Sequence, residues 1–281
     1  MKTKVSSLKV LNVVLCAIML LIFVLSIWTR NNAEAEAVPL EVITVVAKEF
    51  TTYITELDLL VMEKQTTIEF FARIFDYQYD DIIEDIRTRA ENSEEFESTN
   101  IGSLKDNRGN LKTFLNFEQG LIEYFWELNR TNSSMRNERV VPFEGSASDI
   151  KDLINYFATI YPDVCAHTLL SIAAAESGHF RAAHKLRANN IWGAMAGGRI
   201  LRYNNMELGT LTFVRLMSRN YYGRGLTTLE AIGAVYAPTF ENGVREAQPH
   251  WLRLVRGVKP RYTNLVNTEI TIYDILGIEE Y

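Results

Sequence analysis

Residues 173–193 read AAAESGHFRAAHKLRANNIWG, and the side chain in this stretch best suited to chemistry is Glu176. It falls in the last turn of an alanine-rich helix whose small side chains let neighbouring helices approach closely, so the helix is expected to be buried. The negative end of the helix dipole disfavours an ionised carboxyl there, and partial burial acts the same way. A carboxyl that keeps its proton near neutrality is what a general acid needs to protonate a glycosidic oxygen. Further along, Asn189 and Asn190 can exchange hydrogen bonds with N-acetyl and hydroxyl groups, and Tyr236 can stack on a sugar or orient a reacting group. On residue types alone each has a plain structural alternative. Glu176 reads equally as an ordinary helix-end acid, Asn190 as a turn cap, Trp192 as core, and Tyr236 as the seal of a helix end before Pro238.

The elements that must position these residues are mostly helices. Ser148 can cap a helix with the apolar face Ile150, Leu153, Ile154 and Phe157. Pro162 suits the first turn of the next, VCAHTLLSIAAAES, which should stop near Gly178. Helices are also expected at ELGTLTFVRLMSRN, at TTLEAIGAVYA, where Thr227 and Glu230 have capping-box spacing, and at HWLRLVRG. Strand signals are sparse, and GAMAGGRILRY holds at most a short hairpin. Upstream, residues 41–90 carry apolar positions at helical spacing, including Val42, Val45, Phe50, Ile54, Ile68, Phe71 and Phe75, with no Gly or Pro between them. LKTFLNFEQGLIEYFWELN resumes an apolar face through Phe114, Leu121, Ile122, Phe125 and Leu128. The expected fold class is mainly α. Residues 39–130 form a helical acidic region, 131–147 a connector, and 148–281 a catalytic domain, with the boundary at the connector.

The chain has 281 residues, 47% of them hydrophobic, enough for a full core. Lys2, Lys4 and Lys9 precede an uncharged run from Val10 to Trp28, about 28 Å long as a helix and close to the thickness of a bilayer's hydrocarbon core. Lysines before the run against Arg30 alone just after it place residues 1–9 in the cytoplasm and the remainder outside. The expectation is a signal-anchor at 10–28 and an extracytoplasmic catalytic part in the cell membrane. AEAEA at 33–37 leaves open a cleaved signal and a secreted product. Cys16 and Cys165 are poorly placed to pair, and His167, His179, His184 and His250 are too scattered for a metal site. Asp76, Asp80, Asp81, Glu84 and Asp85 read as a solvated helix face, with no calcium-loop pattern following. No phosphate loop and no Gly-x-Ser-x-Gly elbow is present. Neither metal nor cofactor is expected. The net charge of −6 hides two halves: residues 39–150 hold 22 acids against 11 bases, whereas 179–262 hold 13 Lys/Arg against 4 acids. A basic half would steer an anionic polymer, although a merely solvated surface fits the charge as well.

Ala-Ala-Glu-Ser-Gly, then Asn189-Asn190-Ile191-Trp192-Gly193, the tyrosine pair in NYYGRGL, Tyr236-Ala237-Pro238 and Trp251 together resemble the bacterial glucosaminidase domain of the lysozyme-like superfamily. The resemblance covers roughly residues 148–262. It implies a peptidoglycan hydrolase that cuts the N-acetylglucosaminyl-β-1,4-N-acetylmuramic acid bond. Glu176 and Tyr236 would be catalytic, and Asn189, Asn190, Trp192 and Tyr222 would bind substrate. Partners would be peptidoglycan glycan strands and the membrane through the N-terminal helix, but not nucleic acid; the region 39–130 is long enough to pack onto either the catalytic domain or a membrane protein. Two departures stand out. His179-Phe180 replaces the family's aromatic-Gly pair, and AMAGGRILRY lacks the second acid that some members carry on a hairpin lobe. Ordinary glycoside hydrolysis uses two carboxylates, leaving Glu207, Glu230, Glu241 and Glu246 as sources, or the substrate's own acetamido group in their place. Two rivals remain: a lytic transglycosylase, whose usual Gly-Leu-Met-Gln-like segment is replaced here by Asn-Asn-Ile-Trp-Gly, and a non-catalytic cell-wall-binding protein.

Overall fold

The computed structural model describes residues 56–92, 98–131, 140–241, 243–258 and 275–276. The expected cytoplasmic N-terminus, the apolar run 10–28 and the AEAEA segment lie outside the described residues, as does the first part of the helical region expected over 41–90. No described helix is long and apolar enough to cross a membrane. The chain divides into two units, residues 1–65 and 66–281. In the first unit the described helix is α1, Glu56–Glu63.

The second unit is mainly helical, with few strands. Its acidic part holds α2 (Gln65–Phe75), α3 (Tyr79–Glu91) and α4 (Phe117–Thr131). The continuous pattern over 41–90 hides a break that neither Gly nor Pro announces. Asp76 adopts φ +64°, a left-handed conformation that Asp tolerates better than most residues, and it turns the chain between α2 and α3. The acidic face holds no gathered site: Asp85 is spent on Arg89 at 2.6 Å and on the Tyr124 hydroxyl at 2.7 Å.

Residues 140–258 contribute α5 (Ala147–Ile160), α6 (Ala166–Glu176), α7 (Ala183–Arg187), α8 (Met206–Asn220), a short 3₁₀ turn at Tyr222–Arg224, α9 (Leu229–Tyr236) and α10 (Pro249–Val258). Two antiparallel hairpins interrupt the helices: β1 (Met195–Ala196) with β2 (Arg199–Ile200), and β3 (Pro238–Glu241) with β4 (Val244–Ala247). The starts of α5 and α9 differ from expectation by a residue or two, and α6 begins at Ala166, so Pro162 precedes it instead of lying in its first turn. Ser146, not Ser148, caps α5 in a full capping box with Asp149, and Thr228, not Thr227, caps α9. Two residues of suitable type stood near each start, and the geometry selects between them.

The connector does not separate two packed bodies. Phe70 of α2 meets Tyr156 and Phe157 of α5 at ring separations of 5.9 and 6.5 Å, and Arg215 of α8 grips Glu123 of α4 through two hydrogen bonds of 2.7 and 2.9 Å. The segment 66–131 thus shares a core with the C-terminal helices. Its apolar faces are consumed there, with Phe75 stacked on Phe125 at 5.0 Å. Helix α6 runs through this core: every residue from Thr168 to Ala174 is buried, as its alanine-rich sequence predicts. That burial fixes where its last residue, Glu176, emerges.

Candidate active site

Glu176 closes α6 with its side chain 24% exposed, and both carboxylate oxygens are held. The indole Nε1 of Trp251 on α10 donates to Oε1 at 3.1 Å. The Lys185 ammonium on α7 reaches Oε2 at 3.2 Å and also donates to the Glu176 main-chain carbonyl at 2.6 Å. A cation on the last carbonyl complements the negative helix end. Among the described residues these are the carboxylate's hydrogen-bond partners, so its orientation is set from two helices at once.

The exit from α6 is a tight left-handed turn. Gly178, His179 and Phe180 have φ of +58°, +59° and +61°. For a non-glycine residue this conformation costs on the order of 1–2 kcal/mol. The turn persists because Ser177, wholly buried, donates to the Ala173 carbonyl at 2.6 Å and accepts from the Phe180 N–H at 2.8 Å, while the Phe180 side chain is buried. The departure of His179-Phe180 from the family pair thus coincides with two non-glycine residues in a glycine-like backbone. The turn delivers the chain into α7, which brings Lys185 back to Glu176.

The Asn-Asn-Ile-Trp-Gly loop covers this pair from the other side. Gly193 has φ +70°, and a Cβ there would lie 2.8 Å from the Lys185 Nζ and 3.6 Å from Glu176 Oε2. Glycine is required both by the backbone conformation and by the approach of the main chain to the ion pair.

The asparagines build the loop instead of facing outward. Asn189 is fully buried, and its amide nitrogen donates to the carbonyls of Val141 and Tyr203, each at 2.9 Å. Asn190, 2% exposed, donates to the carbonyls of Ala194 and Leu201 at 2.9 and 2.8 Å and accepts from the Ala194 N–H at 2.9 Å, which clasps the base of the β1–β2 hairpin. The expectation that these side chains line a sugar cleft is corrected on this point, because their amide nitrogens are committed to main chain inside the fold. Trp192 is likewise buried, its ring 4.3 Å from that of Phe213.

Tyr236 joins the loop to the carboxylate. Its hydroxyl donates to the Trp192 carbonyl at 2.6 Å, and its ring lies 5.5 Å from that of Trp251. Burial, reinforced by the Glu176 carboxylate and by Tyr221, pushes its phenol well above the ordinary value. Tyr236 therefore stays neutral at physiological pH, with a free lone pair on its oxygen. Of the tyrosine pair, Tyr221 approaches Tyr236, whereas Tyr222 lies against Cys165 and Thr168 at the start of α6. Thr168 precedes Glu176 by eight residues on that helix, about 12 Å of rise, so Tyr222 is not brought to the carboxylate. Adjacent residues on the turn face different ways, and the sequence pair could not say which one turns inward.

The candidate second acids are occupied in different ways. Glu207 pairs with Arg73 at 3.8 Å, and Glu230 pairs with Arg256. Glu246 is exposed on β4 opposite Thr239. The side chain of Glu241 lies outside the described residues.

Lys185 and the indole of Trp251 are the partners that residue types did not reveal. Lys185 lies in a five-residue helix with no amphipathic pattern, and only its three-dimensional return to α6 gives it a role. Trp251 depends on Gly233: a Cβ at position 233 would lie 2.6 Å from Ala247 Cβ and 2.8 Å from the Trp251 ring. Gly233→Ala is therefore expected to displace the indole, to lower stability by about 1–3 kcal/mol in denaturant unfolding, and to change the tryptophan emission.

No protein-family model matches this chain, and no curated protein or solved structure matches it either.

Proposed function

We propose that the chain is a peptidoglycan hydrolase with a lysozyme-like catalytic domain, which cleaves the N-acetylglucosaminyl-β-1,4-N-acetylmuramic acid bond with Glu176 as general acid. The observation that carries this reading is a partly exposed carboxylate at the end of a buried helix, fixed through both oxygens and flanked by a neutral tyrosine. A proton donor for a leaving oxygen needs that combination of access and fixed direction.

Of the acids the sequence offered in support, Glu207 and Glu230 are engaged in ion pairs and Glu246 is exposed on a strand. The substrate's own acetamido oxygen is therefore the proposed nucleophile. It would form a bond to C1 as the C1–O bond to the muramic residue breaks and Glu176 delivers its proton to that oxygen. Water would then attack C1, breaking the bond from C1 to the acetamido oxygen, returning a proton to Glu176 and releasing a reducing N-acetylglucosamine end with retained configuration. The Tyr236 oxygen, with its hydrogen committed to Trp192, keeps a lone pair able to accept from the acetamido N–H. The N-terminal apolar run would hold the domain outside the cell membrane, where this substrate lies.

A second reading, a wall-binding protein without turnover, is favoured by the ion pair itself, since Lys185 and Glu176 would also serve as a static helix cap. The test is to incubate the full chain with purified peptidoglycan, reduce the products and identify their ends by mass spectrometry. Reduced N-acetylglucosamine ends support the hydrolase. Anhydro-muramic ends would assign a lytic transglycosylase, and sedimentation with the wall without any new ends would assign the binding protein.

A further inference from the structure

Lys185 makes two contacts that do different work. Its bond to the Glu176 carbonyl at 2.6 Å caps α6, and any donor of similar reach would satisfy that carbonyl. Its approach to Oε2 at 3.2 Å places a full positive charge against the one oxygen that Trp251 does not hold. The Lys185 side chain is only 13% exposed, so solvent screens its charge less than it would a surface lysine's. Gly193 lies over it, leaving no room for a side chain between the loop and the ammonium. Among the described residues, Tyr236 on α9 is a titratable group that feels the Glu176 charge, and it is neutral through the physiological range. Trp251 on α10 contributes a hydrogen bond but no charge. Lys185 is thus the cation set to answer a change of charge on Glu176.

That change is what acid catalysis produces. When a carboxylic acid gives up its proton to a leaving oxygen it ends as a carboxylate, and a fixed cation nearby is worth more at that stage than before it. We infer that Lys185 is a positioning residue for the proposed cleavage: it aims the Glu176 carboxyl and stabilises the negative charge left on it as the glycosidic oxygen takes the proton. This assignment rests on the glycan-hydrolase reading. No bond to Lys185 forms or breaks, and its own proton count is unchanged through the step.

The test compares the full chain with Lys185→Met, Lys185→Gln and Lys185→Arg on soluble glycan strands, with circular dichroism to establish folding. Lys185→Met is expected to lower kcat by about 10–100-fold and to leave KM within about twofold, since the effect falls on the transition state. Lys185→Gln keeps a donor for the Glu176 carbonyl but has no charge, and it is expected to match the Met variant. It also stands in for that variant should the latter not fold. Lys185→Arg is expected to recover most of the rate. Equal kcat in the folded Met or Gln variant and the unmutated chain would overturn the assignment. So would a Gln variant that restores the rate, which would reduce Lys185 to a helix cap, or a folded Arg variant as slow as Met. If the unmutated chain releases no ends at all, the hydrolase reading fails and this assignment falls with it. An active unmutated chain with indifferent Lys185 variants removes this assignment alone.

Discussion

Glu176→Gln is expected to abolish release of new glycan ends, with kcat falling by about 10³-fold or more while the protein stays folded. The amide is nearly isosteric with the acid, its oxygen still accepts from the Trp251 indole, and Lys185 keeps the Glu176 carbonyl. The lost Lys185–Glu176 attraction is partly screened at a carboxylate 24% exposed, so the stability change is expected to be about 1 kcal/mol. The substitution removes the transferable proton and the attraction of the carboxylate to Lys185, and it leaves an oxygen for the Trp251 indole. Binding of the wall should persist, because the Trp251 hydrogen bond and the Lys185 bond to the main-chain carbonyl are kept. Turnover with binding measured in parallel checks this, and a Gln variant that still produced ends at the unmutated rate would require another acid.

Asn190→Asp separates a structural asparagine from a substrate contact. If Asn190 met sugar, an isosteric change would chiefly raise KM. The clasp predicts a loss of stability instead. An aspartate keeps the oxygen that accepts from Ala194 but turns the nitrogen that donates to the Ala194 and Leu201 carbonyls into a second oxygen. At a position 2% exposed this sets a carboxylate against two carbonyls with no water to relieve them. The expected cost is about 3 kcal/mol in urea or thermal unfolding, or else a group that takes up a proton to avoid the charge. Unchanged stability with a raised KM would place the side chain in the cleft.

The contrast between these two residues shows what the sequence could convey. A helix of alanines ending on Glu is legible, because small side chains imply burial and the lone carboxylate stands out against them. The exit of Glu176 from the core at the end of α6 follows from that pattern. The direction of an asparagine amide is not legible, since the same group serves a sugar hydroxyl or a main-chain carbonyl equally well. The amide nitrogens of Asn189 and Asn190 suit either partner, and both are spent on main-chain carbonyls. The break at Asp76 was hidden because it depends on one residue's left-handed conformation, not on a Gly or Pro. Lys185 gave no signal because its role arises only when the turn at Gly178–Phe180 returns the chain to α6. Tyr222 lies against Thr168 and Cys165 at the start of α6, a placement that the sequence pair does not convey. The mainly helical architecture needed only apolar spacing and caps, which are local and repeated, so small errors such as Ser146 for Ser148 did not alter it.

In the proposed reaction, water cuts the glycan at N-acetylglucosamine with Glu176 as the acid. The most direct measurement is digestion of purified peptidoglycan by the full chain in heavy-oxygen water, stopped by immediate borohydride reduction, with the new ends read by mass spectrometry beside Glu176→Gln. The account predicts the heavy isotope at C1 of newly formed N-acetylglucosamine ends, and no new ends from the variant. Unlabelled anhydro-muramic ends, or labelled ends made equally well by Glu176→Gln, would contradict it.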